Sequence, residues 1–230
     1  MDFNLHYQPI WDMTHQQVIG YETFVHGVRG ESAAELFRRY ARQVVLMDRA
    51  IIQRAMDEAL PMLTSDQQLF LNVHPKSLIA GLRLDLKAIN TKQIVLEITE
   101  KTPFNQRVLY QLQRLALRGF VFGIDDFGTQ FSNLDRLISP TFRPEYLKLD
   151  KSFVRGLKLT RNTAVVIRFT QELCQLLHIK LIVEGVETLE QQEYLLAQGV
   201  RYMQGYYLGR PAPIAKDQFT IEEVLSKKGV

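Results

Sequence analysis

The sequence predicts an α/β fold built on a parallel sheet. Short β-prone runs alternate with longer helix-like stretches, those stretches keep apolar residues at helical spacing, and polar residues gather where the β-prone runs end. The opening pair of β-prone runs, LHYQPIW and VIGYETFV, is joined through Asp12 to Gln17. Ala33 to Leu60 then reads as one long helix or two consecutive ones. The runs LFLNV at 69–73, IVLEI at 94–98, FVFGI at 120–124, YLKLD at 146–150, LIVEGV at 181–186 and YMQGYYL at 202–208 follow, each separated by a stretch long enough for a crossover. Val108, Leu109, Leu112, Leu115 and Ala116 keep helical spacing in one of these stretches, and Val166, Phe169, Leu173, Leu176 and Leu177 in another. Six units plus an opening pair approach an eight-stranded TIM-like (β/α) barrel. A doubly wound open sheet fits the same pattern, so periodicity leaves both open.

The 230 residues suit one such barrel, and with no repeat, low-complexity tract or linker, 1–230 reads as a single domain. A composition 46% hydrophobic and 23% charged is that of a globular chain. The net charge of +3 and the lack of any dense Lys/Arg run give no reason to expect a DNA or RNA partner. Cys174 is the single cysteine, which excludes an intramolecular disulfide and a cysteine zinc cluster and suits a reducing cytosol. No apolar run approaches the roughly 20 residues that span a bilayer, and the start lacks a charged-then-apolar leader. The expectation is a cytoplasmic chain without a membrane segment.

Where the polar residues fall is more specific than the periodicity. Asn72, Glu97, the pair Asp125-Asp126, Lys148, Glu184 and Gln204 each stand at or near the C-terminal end of a β-prone run. In α/β barrels that rim carries the chemistry. Carboxylates gathered there repel unless cations neutralise them, and an all-oxygen ligand set favours Mg²⁺ or Mn²⁺ over zinc. Adjacent aspartates suit the bridging of two ions, and two metals clamp the attacking and leaving oxygens of a phosphoryl displacement, so phosphodiester hydrolysis is the reaction such a rim serves best. Strand alternation puts Lys148 and Asp150 on one face. Taken singly, Asp48, Glu100 and Asp150 read equally well as caps or loop holders, and Lys148 as a solvated lysine.

From Tyr7 to Pro213 the chain resembles the EAL-domain cyclic di-GMP phosphodiesterases. The resemblance rests on YQPI at 7–10, LNVHP at 71–75, LEITE at 96–100, IDDFGTQFSNL at 124–134, YLKLDKSFV at 146–154, LIVEGVET at 181–188 and QGYYLGRP at 204–211. Glu22 in YETFVH stands where the Glu-Ala-Leu signature places its glutamate, the signature itself being degraded to Glu-Thr-Phe. The resemblance implies a TIM-like barrel of the EAL type with one antiparallel strand, and hydrolysis of cyclic di-GMP to linear pGpG with two divalent cations, Mg²⁺ or Mn²⁺. It implies metal ligation by Glu22, Asn72, Glu97, Asp125, Asp126 and Glu184. Lys148 and Glu184 act on the attacking water, and Gln8, His26, Glu187, Gln204 and Pro211 lie along the substrate. It makes Glu100 the anchor of the loop after Asp126, and it implies a homodimer formed next to that loop.

Three departures stand out. His26 replaces an arginine that contacts phosphate, and a mostly neutral imidazole cannot reproduce a bidentate guanidinium. His74 replaces a serine, where it either crowds the pocket or replaces a hydroxyl contact, and Gln130 replaces a loop glycine. The spacing from Leu134 to Lys148 is about two residues longer than usual, an extension assigned to the surface helix. Two other readings remain: a catalytically degenerate EAL domain serving as a cyclic di-GMP receptor or protein-interaction module, and an unrelated metal-dependent barrel with a lysine base.

Overall fold

In a computed structural model the chain closes into an eight-stranded barrel; the structure describes residues 1–86, 89–99, 102–129, 134–154 and 161–215. The strands are β1 (Phe3–Asp12), β2 (Gln17–Gly27), β3 (Gln68–Asn72), β4 (Ile94–Ile98), β5 (Val121–Phe127), β6 (Tyr146–Leu149), β7 (Lys180–Val183) and β8 (Tyr202–Met203), paired in sequence order around the barrel. β1 runs antiparallel to both neighbours, β2 and β8, and every other pair is parallel. The cause is local. The turn between β1 and β2 is too short for a crossover, and Asp12 fixes it by accepting the N–H groups of Thr14 and His15 on Oδ1.

Helices α1 (Ala33–Arg39), α2 (Val44–Ala59), α3 (Pro75–Ala80), α4 (Gln106–Leu117), α5 (Leu134–Leu137), α6 (Arg161–Leu176) and α7 (Leu189–Ala197) occupy the connections. Their starts are written in the sequence. Ser32 with Glu35 and Thr188 with Gln191 form reciprocal capping boxes, and Asn105 accepts the N–H of Val108. The Ala33–Leu60 stretch is indeed broken in two, with a 3₁₀ turn at Ala41–Gln43 between α1 and α2. α2 buries Met47, Ile51, Ile52, Ala55, Met56 and Ala59 against the barrel, and α4 buries Val108, Leu112 and Leu115.

α6 differs from that pattern. Its buried side is Ile167, Thr170 and Cys174, while Phe169 is 59% and Leu176 74% exposed, so much of the apolar stripe read from the sequence faces outward. Nor does the surface helix absorb the long connection before Lys148: α5 ends at Leu137, and 138–145, with Pro140 and Pro144, holds no helix. No helix among the described residues is long and apolar enough to cross a membrane.

The barrel interior is layered. Ile10, Phe70, Val95, Tyr146 and Ile182 form a dry plug, and truncating a buried aromatic such as Phe70 to alanine carries a typical cost of ~3–5 kcal/mol. Two residues further along the parallel strands, on the same inward face, stand Asn72, Glu97, Lys148 and Glu184. A strand period of two therefore converts apolar-X-polar spelling into a polar layer on an apolar floor.

Candidate active site

Lys148 is the centre of that layer. Its side chain is wholly buried, and Nζ lies 2.8 Å from Glu22 Oε2, 2.9 Å from Glu97 Oε1, 3.5 Å from Asp125 Oδ1 and 2.6 Å from Glu184 Oε1. Burial works against the ammonium, but Asp125, Glu184, Glu22 and Glu97 together outweigh it and hold the Lys148 pKa well above its ordinary value. One cation does not satisfy these acids. Burial raises Glu97 well above the usual carboxylate range, Lys148 opposing and Glu22 and Asp125 reinforcing the rise. Burial likewise pushes Glu184 up to about 8.

The amides tie the layer together. Asn72 Nδ2 donates to Glu22 Oε1 at 3.1 Å, and Gln204 Nε2 donates to Glu22 Oε2 at 2.8 Å and to Gln8 Oε1 at 3.2 Å. Gln8 in turn donates to the carbonyl of Gly209 at 2.9 Å. The loops after β7 and β8 are laced by Val186 N–H to Gln204 O, 3.1 Å, and Tyr207 N–H to Val186 O, 3.0 Å. Gly205 permits this close approach, since a Cβ there would meet the Val186 backbone at 2.0 Å.

Above the layer opens a cavity of about 350 Å³, lined by Gln8, Glu22, His26, Asn72, Asp125, Asp126, Glu184, Glu187, Gln204 and Pro211, together with Phe24, Asp150, Lys151, Gly185, Gly205 and Tyr206. Every site residue read from the sequence lies in this lining or directly beneath it, except Glu100, which falls outside the described residues. Glu97 and Lys148 are the two beneath it, fully enclosed. Gln130 also falls outside the described residues. Phe24, Lys151, Gly185, Gly205 and Tyr206 also line the cavity; all five stand inside the motifs quoted above, but none is singled out there as a site residue. Asp150 caps a 3₁₀ turn by accepting the N–H of Ser152 at 2.9 Å, which is the plain structural role open to it from the start.

The residues fit a cation. Among the described residues, donor oxygens of Asp125, Asp126 and Glu184 lie within 4.8 Å of one another. Among the described residues, buried Glu97 Oε2 has no hydrogen-bond partner, and Asp125 Oδ1 has only the ion-pair contact with Lys148 at 3.5 Å. Asp126 takes φ of 55°, uncommon for a residue with a Cβ, and Thr129 holds the turn by donating N–H and Oγ1 to the Asp126 carbonyl at 3.3 and 2.9 Å. The adjacent aspartates are thereby turned into one cavity rather than to opposite faces of a strand.

The pattern of residues 1–211 matches the family model described as EAL domain. The chain belongs to the EAL domain family. This EAL domain is 31% identical over 229 residues to the "Probable cyclic di-GMP phosphodiesterase PdeN" of Escherichia coli K12, covering 92% of this chain and 44% of that protein. It is 36% identical over 151 residues to the "Cyclic di-GMP phosphodiesterase RocR" of Pseudomonas aeruginosa, covering 62% of this chain and 38% of the relative. The chain thus spans less than half the length of these relatives. Among solved structures, the manganese/cyclic di-GMP complex of Klebsiella pneumoniae BlrP1 superposes with a TM-score of 0.83 at 25% identity, over 92% of this chain and 56% of that one. A standalone EAL protein from Vibrio cholerae O395 in its c-di-GMP-bound form gives 0.77 at 26% identity, over 92% of both chains.

A second cavity of about 450 Å³ adjoins the first and shares Phe24 and Asn72 with it. Its lining is mostly apolar, with Phe37, Ile51, Ile52, Leu71 and Val73, and it contains Asp48 and His74. His74 does not crowd the acids. Its ring stacks on Phe37 at 5.8 Å, and its Nδ1 caps α3 by accepting the N–H of Lys76 at 3.1 Å. Asp48 Oδ2 accepts the N–H of His74 at 3.2 Å, and burial pushes the Asp48 carboxyl up to about 6. His26, in the lining of the first cavity, faces His6, ring centres 5.1 Å apart; burial, then the neighbouring His6, lowers the His26 pKa.

Proposed function

We propose that this EAL domain, 1–230, is a metal-dependent phosphodiesterase that hydrolyses cyclic di-GMP to linear pGpG. The observation that carries the reading is the Lys148-centred cluster, in which buried carboxylate oxygens outnumber the one buried ammonium and converge on a cavity. Glu22, Asn72, Glu97, Asp125, Asp126 and Glu184 would hold two divalent cations, Mg²⁺ or Mn²⁺. Bound there, such ions supply an ionised water near neutral pH and neutralise charge on the phosphoryl oxygens. The relatives named as cyclic di-GMP phosphodiesterases and the ligand-bound neighbours support the substrate class.

The chain's own residues then have distinct tasks. Lys148, held as an ammonium, orients the attacking water and opposes charge that develops on the phosphate. Glu184, which lines the cavity 2.6 Å from Lys148 Nζ, would position the attacking water together with that lysine. Gln8, Gln204, Glu187 and Pro211 would flank the sugar-phosphate ring, with His26 as a neutral phosphate contact at its edge. The second cavity suits a guanine base: Phe24, Phe37 and His74 offer faces to stack on, and buried Asp48 offers an acceptor to the N1–H and amino donors of the base.

We further propose that the domain works in the cytoplasm as a homodimer whose interface includes the outward stripe of α6, since Val165, Phe169 and Leu176 expose apolar surface along that helix. The test of the main reading is incubation of the purified chain with cyclic di-GMP and Mn²⁺, following pGpG by chromatography. Glu97→Ala should abolish the product. Binding without turnover in the unsubstituted chain would instead establish a receptor.

A further inference from the structure

Arg136 lies in α5, a four-residue helix that also buries Leu137 but leaves Leu134 exposed, as is Ile138 just beyond its end. The arginine itself is 3% exposed. Its Nη1 donates to the carbonyl of Thr99 at 2.7 Å and its Nη2 to that of Thr102 at 2.8 Å, while the N–H of Thr102 closes the same turn onto Thr99 O at 3.0 Å. The guanidinium lies 4.9 Å from the centre of the Phe104 ring. Phe104 packs edge-on against Phe142, which meets Phe122 of β5. One planar side chain therefore ties the segment that follows β5 to the segment that follows β4.

Those two strands carry Glu97, Asp125 and Asp126. The left-handed backbone at Asp126 is uncommon for a residue with a Cβ, and Thr129 closes its turn. Resting on the metal reading above, we propose that Arg136 is a positioning residue for the metal site: by holding α5 to the Thr99 and Thr102 carbonyls it fixes the segments leaving β5 and β4 relative to one another, and with them the aim of the Asp125-Asp126 and Glu97 carboxylates. A lysine would replace it only in part, because an ammonium can donate to both carbonyls but has neither the planar fork nor the flat face set over Phe104.

The experiment compares Arg136→Ala and Arg136→Lys with Ile167→Val, a mild truncation on the buried side of α6 that lowers stability away from the metal layer. Mn²⁺ affinity is read by calorimetry and the Thr129 amide by hydrogen exchange. Arg136→Ala should weaken Mn²⁺ by about 10-fold or more and speed Thr129 exchange, with added guanidinium at non-denaturing concentration restoring part of both. Arg136→Lys should fall between, and Ile167→Val should change neither. Unchanged Mn²⁺ affinity and Thr129 protection in Arg136→Ala, or an equal loss in Ile167→Val, would overturn the proposal. If the unsubstituted chain takes up no Mn²⁺, the metal reading fails by itself, and Thr129 exchange alone then decides the role of Arg136.

Discussion

The Lys148 ammonium approaches Glu184 Oε1 to 2.6 Å, its closest contact among the four acids that surround it. This lysine is a counter-ion built into the site. Divalent ions entering the cavity would compete with it for Glu22, Glu97, Asp125 and Glu184.

Lys148→Met should therefore act twice. Breaking a buried ion cluster by removing one partner costs about 3–5 kcal/mol, so the metal-free melting temperature should drop, and Mn²⁺ should restore more of it than it adds to the unsubstituted chain. Turnover should fall by about 100-fold or more. Thermal scans with and without Mn²⁺, beside a rate assay, check both, and undiminished turnover would remove Lys148 from the chemistry.

Metal uptake should be coupled to proton release. Burial raises the carboxyls of Glu97 and Glu184, the latter to about 8, and ligation needs both ionised. Mn²⁺ affinity should weaken as pH falls below about 8. Calorimetry in buffers of different ionisation enthalpy counts the released protons, and a pH-independent affinity with no release would show that these carboxyls do not bind the ion.

Asp48 yields a prediction of opposite sign in stability and in binding. Its folded pKa, about 6, lies above the ordinary value of 3.8, so the proton is held more tightly by the folded chain. The stabilisation from protonation is full below the unfolded value and is lost as pH rises through about 6. The gap of about 2 corresponds to ~3 kcal/mol, so Asp48→Asn should be the more stable form at pH 8 and show a flatter pH dependence across this range. If Asp48 also receives the base, the same variant should raise KM. Lower stability of the variant at pH 8 would contradict the account of its burial.

Much of the barrel was legible because a period of two governs strands. In β4 and β6, Val95-Leu96-Glu97 and Tyr146-Leu147-Lys148 place an apolar and a polar side chain on one inward face, and that spelling survives in any single sequence. β8 was not legible at its true length: Gly205 turns the chain against Val186 after two strand residues, so the rest of YMQGYYL is loop. The outward stripe of α6 was hidden for another reason, since helical periodicity reports that a helix is amphipathic without naming what covers its apolar side. The burial of Lys148 among four acids, and the second cavity with Asp48, depend on distances between strands and helices remote in sequence, on which local spacing is silent.

The α6 stripe can be tested in the same spirit. Phe169→Glu places a charge in the exposed apolar stripe, where it should not disturb the core. Sedimentation should show a dimer for the unsubstituted chain and a monomer for the variant. A monomer in both cases would assign that surface to something other than a second copy.

The central claim is that water is added to one phosphodiester at the Lys148 cluster. The most direct measurement is conversion of cyclic di-GMP in ¹⁸O-labelled water with Mn²⁺, reading the product by mass spectrometry. The account predicts pGpG with one ¹⁸O in its terminal phosphate, and none from Glu97→Ala. Unlabelled product, labelled product from Glu97→Ala, or intact substrate after incubation with the unsubstituted chain would contradict it.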